Sequence, residues 1–221
     1  FVNALISECC EFNYEYPDIK EMPEFISIKA DKGWADLMSE KIEYVASCDT
    51  QPKLIFPGAF NPLHDGHEAM SKLAEKETGA KTFFEICIQN VDKPPLSYHQ
   101  INRTINQFDS TQDWVLTKAG KFSDKAKLFP NSTFIIGADT LVRIFDERFY
   151  ASRSDMLAQF DIFNKNNNRF LVFGRKYQDK FIELKDVQIP DSISSLFKGF
   201  GENIFREDIS SSSIRLENSE E

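Results

Sequence analysis

The chain has 221 residues, a net charge of −9 and no apolar run of the length that spans a bilayer. These features argue against a membrane protein and against one that holds nucleic acid through overall positive charge. Hydrophobic residues make up 41% of the chain and charged residues 28%, as is typical of globular proteins. The four cysteines form no CxxC pair, which argues against a zinc site and favours a reducing, cytoplasmic location.

Residues 1–52 carry few structural signals apart from a predicted helix at 35–45. We interpret them as a packing extension of a domain that occupies residues 53–221, and we find no chemistry in them. The chain begins at Phe1. The hypothesis therefore stays open that it is a piece of a longer protein and that the extension is the remnant of an upstream domain.

Predicted strands and helices alternate from residue 53 onward. Short apolar runs predict strands at 53–57, 82–88, 114–117, 132–137 and 169–175, and periodic segments between them predict helices at 67–77, 100–108 and 121–129. This alternation implies βαβ units. We expect an α/β protein with a Rossmann-like fold, in which a mostly parallel sheet of five or six strands has helices on both faces.

The loop GAFNPLHDGH, at residues 58–67, joins the first predicted strand to a helix. Gly58 would permit close approach of the backbone to a ligand at the carboxyl edge of the sheet. His64 and His67 are three residues apart and would share one face of the first helical turn. That spacing alone also fits half of a metal site or two surface residues. Its position between a strand and a helix N-terminus favours two imidazole donors to a polyphosphate.

A second motif, ISSSSIR, occupies residues 209–215 near the end of the chain. Its serines alone would predict a flexible tail. The apolar Ile209 and Ile214, with Asp208 and the serines as caps, favour a helix that continues through Leu216. Serine hydroxyls, helix N–H groups and the Arg215 guanidinium would together bind phosphate oxygens.

Three further segments follow predicted strands and add candidate ligand contacts. Gly137 and Asp139 follow the fourth strand, where the carboxylate suits two ribose hydroxyls or caps a helix. Arg175 ends the fifth strand and faces either a nucleotide or a surface ion-pair partner. Lys93 follows the second strand and either neutralises phosphate charge or lies in a solvated loop.

The loop at 58–67 resembles the (T/H)xGH signature of the HxGH nucleotidyltransferase superfamily. It looks most like the G-(S/T/A)-F-(D/N)-P-x-H-x-G-H loop of nicotinamide and nicotinic acid mononucleotide adenylyltransferases. The segment at 209–215 resembles the ISSTxIR motif of the same enzymes, with Ser212 where threonine is usual. Over residues 53–216 this resemblance implies transfer of AMP from ATP, with Mg²⁺, to a phosphorylated acceptor, and release of pyrophosphate. The acceptor it implies first is nicotinamide or nicotinic acid mononucleotide.

The resemblance also assigns expected roles to individual residues. The catalytic set is His64, His67, Lys93 and Arg215, and the nucleotide-binding set is Gly58, Ala59, Phe60, Gly66, Gly137, Asp139, Arg175, Ile209, Ser211 and Ser212. Trp114 and Arg103 are candidates for binding the acceptor. No protein side chain is assigned to the metal, which would arrive with ATP.

Two other functions stay open at this point. One is adenylyl or cytidylyl transfer to another phosphorylated acceptor such as phosphopantetheine, although the R-T-x-G-I-S-T-T segment usual in cytidylyltransferases is absent. The other is nucleotide binding or ATP hydrolysis without transfer. An aminoacyl-tRNA synthetase is disfavoured because no KMSKS-like segment occurs. The expected partners are ATP and a small phosphorylated acceptor, not nucleic acid or membrane, and a homo-oligomer is left open.

Overall fold

A central β-sheet organises the part of the chain that the computed structural model describes, which is residues 29–89, 94–146, 148, 150–177 and 180–217. Strands in these residues are β1 (Tyr44–Ala46), β2 (Leu54–Pro57), β3 (Thr82–Cys87), β4 (Asp113–Thr117), β5 (Thr133–Gly137), β6 (Arg169–Phe173), β7 (Arg175–Tyr177), β8 (Lys180–Ile182) and β9 (Phe197–Phe200). Helices are α1 (Lys32–Met38), α2 (Asp65–Thr78), α3 (Tyr98–Ile105), α4 (Phe122–Leu128), α5 (Ala138–Ile144), α6 (Arg153–Lys165), α7 (Asp191–Ser194) and α8 (Ser211–Glu217), with a 3-10 turn at Leu184–Asp186.

Within these described residues the main sheet has seven strands in the order β1-β4-β3-β2-β5-β6-β9. Strand β1 is antiparallel to β4, and every other neighbouring pair is parallel. The chain builds β3 and β4 on one side of β2, and then β5, β6 and β9 on the other. The direction of winding therefore reverses between β2 and β5, and ligands of open α/β sheets bind at such a switch point.

Helices cover both faces of the sheet because neighbouring residues of its strands point to opposite sides. Phe83 and Phe84 of β3 illustrate this, since they belong to separate buried clusters. The cluster of Phe84 includes residues of α1, α2 and α3, whereas that of Phe83 includes residues of α4, α5, α6 and α7. No helix in the described ranges is long and apolar enough to cross a bilayer.

The mostly parallel sheet with helices on both faces confirms the predicted fold class, with two differences in detail. The described sheet has seven strands instead of five or six, because β1 and β9 add one strand at each edge. The predicted helix at 35–45 is wrong in its second half, since α1 ends at Met38 and Tyr44–Ala46 pairs with β4. Hydrogen bonds to β4 stabilise the extended backbone there, and local periodicity cannot register a partner so distant in sequence.

Residues 29–52 pack as part of the domain. Trp34 is 6% exposed and Leu37 is 1% exposed, and both belong to the core cluster that contains Phe56 and Phe84. Together with the pairing of β1 on β4, this places residues 29–52 against the main sheet, and the interpretation of the whole segment 1–52 as a packing extension stays a prediction. The domain boundary at residue 53 stays a prediction, and residues 1–28 lie outside the described part of the chain.

A buried ion pair lies between the sheet and α4, on the strand next to β2, which leads to the loop 58–67, here called the histidine loop. The Lys125 ammonium on α4 donates to both carboxylate oxygens of Glu85 on β3, each at 2.7 Å. The Thr117 hydroxyl on β4 also donates to Glu85, at 2.5 Å. The Glu85 and Lys125 side chains are 1% and 4% exposed, so these bonds replace almost all of the water that the two charges would otherwise bind.

Candidate active site

His64 and His67 lie side by side at the N-terminus of α2, directly beyond the carboxyl end of β2. His64 is the N-cap residue of α2, and its ring stacks on that of His67 with a centroid distance of 3.7 Å. Both ring nitrogens of His64 and Nδ1 of His67 are buried, and no described residue hydrogen-bonds to them. Buried polar atoms without partners are rare, so these nitrogens indicate a place where a polar ligand binds.

The surroundings keep this pair uncharged. Burial, the neighbouring His64 ring and the Arg175 guanidinium together lower the pKa of His67 to about 3, and burial is the largest of these causes. Burial and Arg175 also lower the pKa of His64, against a smaller opposing influence of Asp65. At neutral pH each imidazole therefore carries one N–H donor beside the positive end of the helix.

The lowered pKa of His67 predicts a pH-dependent stability. The unfolded chain takes up a proton at this residue near pH 6.5, and the folded protein does so only near pH 3. Above pH 6.5 the residue is neutral in both states and does not make stability depend on pH. As the pH falls from 6.5 towards 3, the proton bound only by the unfolded chain lowers stability, with a slope of up to about 1.4 kcal/mol per pH unit. We expect the free energy of unfolding, measured with denaturant between pH 4 and 8, to depend less steeply on pH in His67→Asn than in the wild type. A His99→Asn control keeps the wild-type slope, and equal slopes for all three proteins would contradict the prediction.

The loop between β2 and the histidines depends on Gly58 and Phe60. Phe60 has a φ of 44°, a left-handed conformation that costs a non-glycine residue about 1–2 kcal/mol. Its ring is 1% exposed and packs against Phe56, Phe84 and Phe108. A Cβ at Gly58 would lie 2.6 Å from this ring, so the glycine makes room for Phe60, and its contact with a ligand stays a prediction. The ring of Phe60 belongs to the core, which leaves only its backbone for the nucleotide contact expected from the sequence.

The two sequence motifs meet in space. The Ser211 hydroxyl donates to the Pro62 carbonyl oxygen at 2.8 Å, and the Arg215 guanidinium donates to the Asn61 carbonyl oxygen. Ile209 packs against the first turn of α2, since a Cβ at Gly66 would lie 3.0 Å from its side chain. The segment that follows residue 208 is therefore anchored on the histidine loop.

Paired serines begin the helix α8. The Ser210 hydroxyl accepts from the Ser213 N–H at 3.1 Å, and the Ser213 hydroxyl accepts from the Ser210 N–H at 3.2 Å. This reciprocal capping agrees with the predicted helix start and rules out a flexible tail at these serines. The Ser212 side chain, assigned to phosphate binding by resemblance, lies outside what the structure describes.

Asp139 and Arg175 converge on the same site from β5 and β6. Asp139 lies in the first turn of α5, and Gly137 is the N-cap residue without a side-chain cap, so Asp139 is not the cap. One oxygen of Asp139, Oδ1, is buried without a hydrogen-bond partner among the described residues and lies 3.9 Å from Nε of Arg175. A Cβ at Gly137 would collide with this carboxylate. The glycine therefore leaves the space that Asp139 fills.

A pocket opens between these groups, at the switch point between β2 and β5. Half of its lining consists of predicted site residues, which are His64, Gly66, Gly137, Arg175 and Ile209. The sequence analysis missed the other lining residues, which are Met70, Phe173, Gly174, Phe205 and Glu207. Met70, Phe173 and Phe205 give it an apolar wall that suits a flat base. Phe173 and Gly174 directly precede Arg175 within the predicted strand 169–175, so that segment held a signal for them.

The remaining predicted residues fall in different places. Trp114 is the second residue of β4, level with Phe84 of β3, and packs against the core cluster that contains Phe84. It is not among the residues that line the pocket, and its assignment to the acceptor stays a prediction. Parallel strands present ligands at their carboxyl ends, and Thr117 occupies that position in β4. Arg103 donates to the Asn61 side chain at 3.5 Å and therefore does reach the histidine loop.

Two further predicted residues are Ala59 and Lys93. Ala59 belongs to the histidine loop and is exposed there, as a ligand contact requires. Lys93 lies outside the described residues, and its catalytic role stays a prediction.

The chain was compared with protein families, curated proteins and solved structures. The chain is similar in fold to nicotinic acid mononucleotide adenylyltransferase of Plasmodium falciparum complexed with NaAD, with 18% sequence identity, coverage of 76% of this chain and 83% of the other, and a TM-score of 0.40. No curated protein matches the sequence. A model of the cytidylyltransferase-like family matches residues 55–217, which contain both motifs and the whole pocket lining. The chain therefore belongs to the cytidylyltransferase-like family, within the HxGH nucleotidyltransferase superfamily that its histidine loop indicates.

Proposed function

We propose that the protein transfers the adenylyl group of ATP to nicotinamide or nicotinic acid mononucleotide and releases pyrophosphate. The observation that carries this proposal is the pair of stacked, neutral, partnerless imidazoles at the N-terminus of α2, held against the serine and arginine residues of α8. Donors gathered at a helix N-terminus favour the negative charge of a triphosphate.

The other groups of the pocket suit the rest of ATP. The base would lie against the apolar wall of Met70, Phe173 and Phe205. The buried Asp139 oxygen, which accepts no hydrogen bond from the described residues, would accept hydrogen bonds from ribose hydroxyls. Arg175, which adjoins both the carboxylate and the histidines, would offset phosphate charge.

In the proposed reaction, a phosphate oxygen of the acceptor forms a bond to the α-phosphorus of ATP. The bond from that phosphorus to the oxygen bridging to the β-phosphate breaks, and its electron pair leaves with pyrophosphate. No covalent enzyme intermediate is needed. His64, His67 and Arg215 would donate to phosphate oxygens whose charge increases during transfer, so their contribution is positioning and charge stabilisation.

Mg²⁺ is proposed to accompany ATP. No cluster of three or more metal-ligating side chains occurs in the described residues. Mg²⁺ commonly keeps several waters and binds substrate phosphates with only one or two carboxylates, which fits the sparse carboxylates around this pocket. When bound it would neutralise phosphate charge.

The test is a pyrophosphate-release assay with ATP or CTP against nicotinamide mononucleotide, nicotinic acid mononucleotide and phosphopantetheine, with acceptor-free reactions as controls. We expect release only with ATP and one of the two mononucleotides, and mass spectrometry should find the corresponding dinucleotide. Release with CTP or with phosphopantetheine would favour the other transfers considered above. Acceptor-independent release of inorganic phosphate would replace the proposal with ATP hydrolysis.

A further inference from the structure

The segment 60–63, which immediately precedes His64, is held by side chains that come from distant parts of the chain. The Phe60 carbonyl accepts from Nε2 of Gln107 at 2.9 Å, and the Leu63 N–H donates to Oε1 of the same side chain at 2.9 Å. One carboxamide thus binds both ends of the segment. Between these two bonds, the Asn61 and Pro62 carbonyls accept from Arg215 and Ser211 respectively.

Gln107 differs from Ser211 and Arg215, the other two residues whose side chains donate to this segment. Ser211 and Arg215 are the residues proposed to bind phosphate, so their bonds to the segment compete with a bound triphosphate. Gln107 does not line the pocket. It follows α3 and is half-buried, and its third hydrogen bond, to the Thr104 carbonyl at 3.3 Å, ties it to that helix. Its hydrogen bonds to the segment can therefore persist when ATP binds.

Hydrogen bonds from other parts of the chain are needed to stabilise the segment, because its backbone conformation is unfavourable on its own. Phe60 is in the left-handed region, and strained backbone of this kind persists only where the surroundings determine it. The residue after the segment is the N-cap His64, whose ring stacks on His67. Displacement of Leu63 would therefore move both imidazoles relative to the phosphates.

We propose that Gln107 is a positioning residue whose carboxamide sets segment 60–63, and through it His64 and His67, in the geometry that adenylyl transfer requires. This inference rests on the proposed function, and it assigns a role to a residue that no motif contains. Gln107 touches neither substrate nor reacting atoms in this arrangement and acts only through the backbone it holds.

The deciding variant is Gln107→Met, which keeps the length and packing of the side chain and removes both hydrogen bonds to the segment. We expect kcat for pyrophosphate release to fall by about 10- to 100-fold, because small misplacements of catalytic groups have effects of this order. The KM for ATP should change far less, since most groups of the pocket stay in place. Imidazole nitrogen NMR signals of His64 and His67 should shift in the unliganded protein, and those of His99 on α3 should not.

The matched control is Gln159→Met on α6, where the glutamine is half-buried and donates only to Asp155 of its own helix, at 3.2 Å. This control should keep the wild-type kcat. A second variant, Gln107→Asn, keeps the amide one methylene shorter, so it cannot span both ends of the segment and should lose an intermediate part of kcat. It decides the matter if Gln107→Met fails to fold.

Unchanged kcat and unchanged His64 and His67 signals in the folded Gln107 variants would overturn the inference while the proposed function stands. A loss of kcat no larger than in Gln159→Met would do the same. If the wild type releases no pyrophosphate with any acceptor, the proposed function fails instead. The imidazole signals then still report whether Gln107 positions the two histidines.

Discussion

Replacement of His67 by alanine is expected to lower the rate of pyrophosphate release by about 10²–10³-fold while the protein keeps its fold. The reason is that the His67 imidazole is proposed to donate to phosphate oxygens in the transition state, and loss of one such preorganised donor has this effect in other enzymes. His67 is neutral in the folded protein at pH 7, since its pKa is about 3, so it acts through an N–H donor and not as an imidazolium. Steady-state kinetics with saturating ATP and acceptor measure the effect.

Two controls separate chemistry from folding in this experiment. His99→Ala removes the third histidine of the chain, an exposed residue of α3, and should leave the rate unchanged. His67→Asn keeps an N–H donor at the site and should lose less activity than His67→Ala. The His67 ring packs edge-on against Phe56 and Phe60, so thermal unfolding must confirm that each variant is folded at the assay temperature. Near-normal turnover of folded His67→Ala would rule out the proposed role.

Replacement of Lys125 by methionine is expected to destabilise the protein by about 3–5 kcal/mol, because it leaves the Glu85 carboxylate buried without its counter-charge. Both carboxylate oxygens accept from the Lys125 ammonium, and only the Thr117 hydroxyl would remain as a donor to one of them. The Glu85 backbone carbonyl accepts from the Gly58 N–H at 3.0 Å, so a displacement of Glu85 would also displace the start of the histidine loop. Denaturant unfolding measures the change in free energy.

The double variant Glu85→Met and Lys125→Met provides the control for that prediction. Because a buried ion pair contributes little net stability over apolar side chains of similar size, the double variant should recover most of what the single variant loses. Exposed ion pairs offer a second comparison: Lys72→Met, which removes a surface contact with Glu68, should change stability by less than about 1 kcal/mol. Equal destabilisation by Lys72→Met and Lys125→Met would show that the burial of the pair is unimportant.

Local sequence signals predicted most elements of the parallel sheet and both motifs. The runs at 53–57, 82–88 and 132–137 became β2, β3 and β5 with small shifts at their ends, because a fully buried strand is apolar on both faces and its pattern is visible in the sequence. The edge strands β1 and β9 escaped prediction. They are short, and their stability comes from pairing with β4 and β6, which are distant in sequence.

In the candidate site, too, features set by neighbouring residues could be predicted, and features set by contacts distant in sequence could not. His64 and His67 could be found from their spacing and from the strand and helix around them, since a helical turn places residues three apart on one face. Trp114 shows the limit of residue type as a signal: its ring suits stacking on a base, but in the structure it packs against the core cluster, which the sequence did not indicate. Gln107 gave no signal at all, because its role exists only where its carboxamide meets Phe60 and Leu63.

Local patterns in the sequence were enough to predict the fold class, the succession of parallel strands along the chain and the two motifs at 58–67 and 209–215. These features follow from hydrophobic periodicity, helix capping and local spacing, all of which act over a few residues. Only the tertiary structure decided that 58–67 and 209–215 touch and that Met70, Phe173 and Phe205 close an apolar wall. It alone also showed that the two imidazoles are stacked and that three of their ring nitrogens are buried without a hydrogen bond to any described residue. Such properties depend on which distant segments come together and how much water they exclude, and both are set by packing of the whole sheet and its helices.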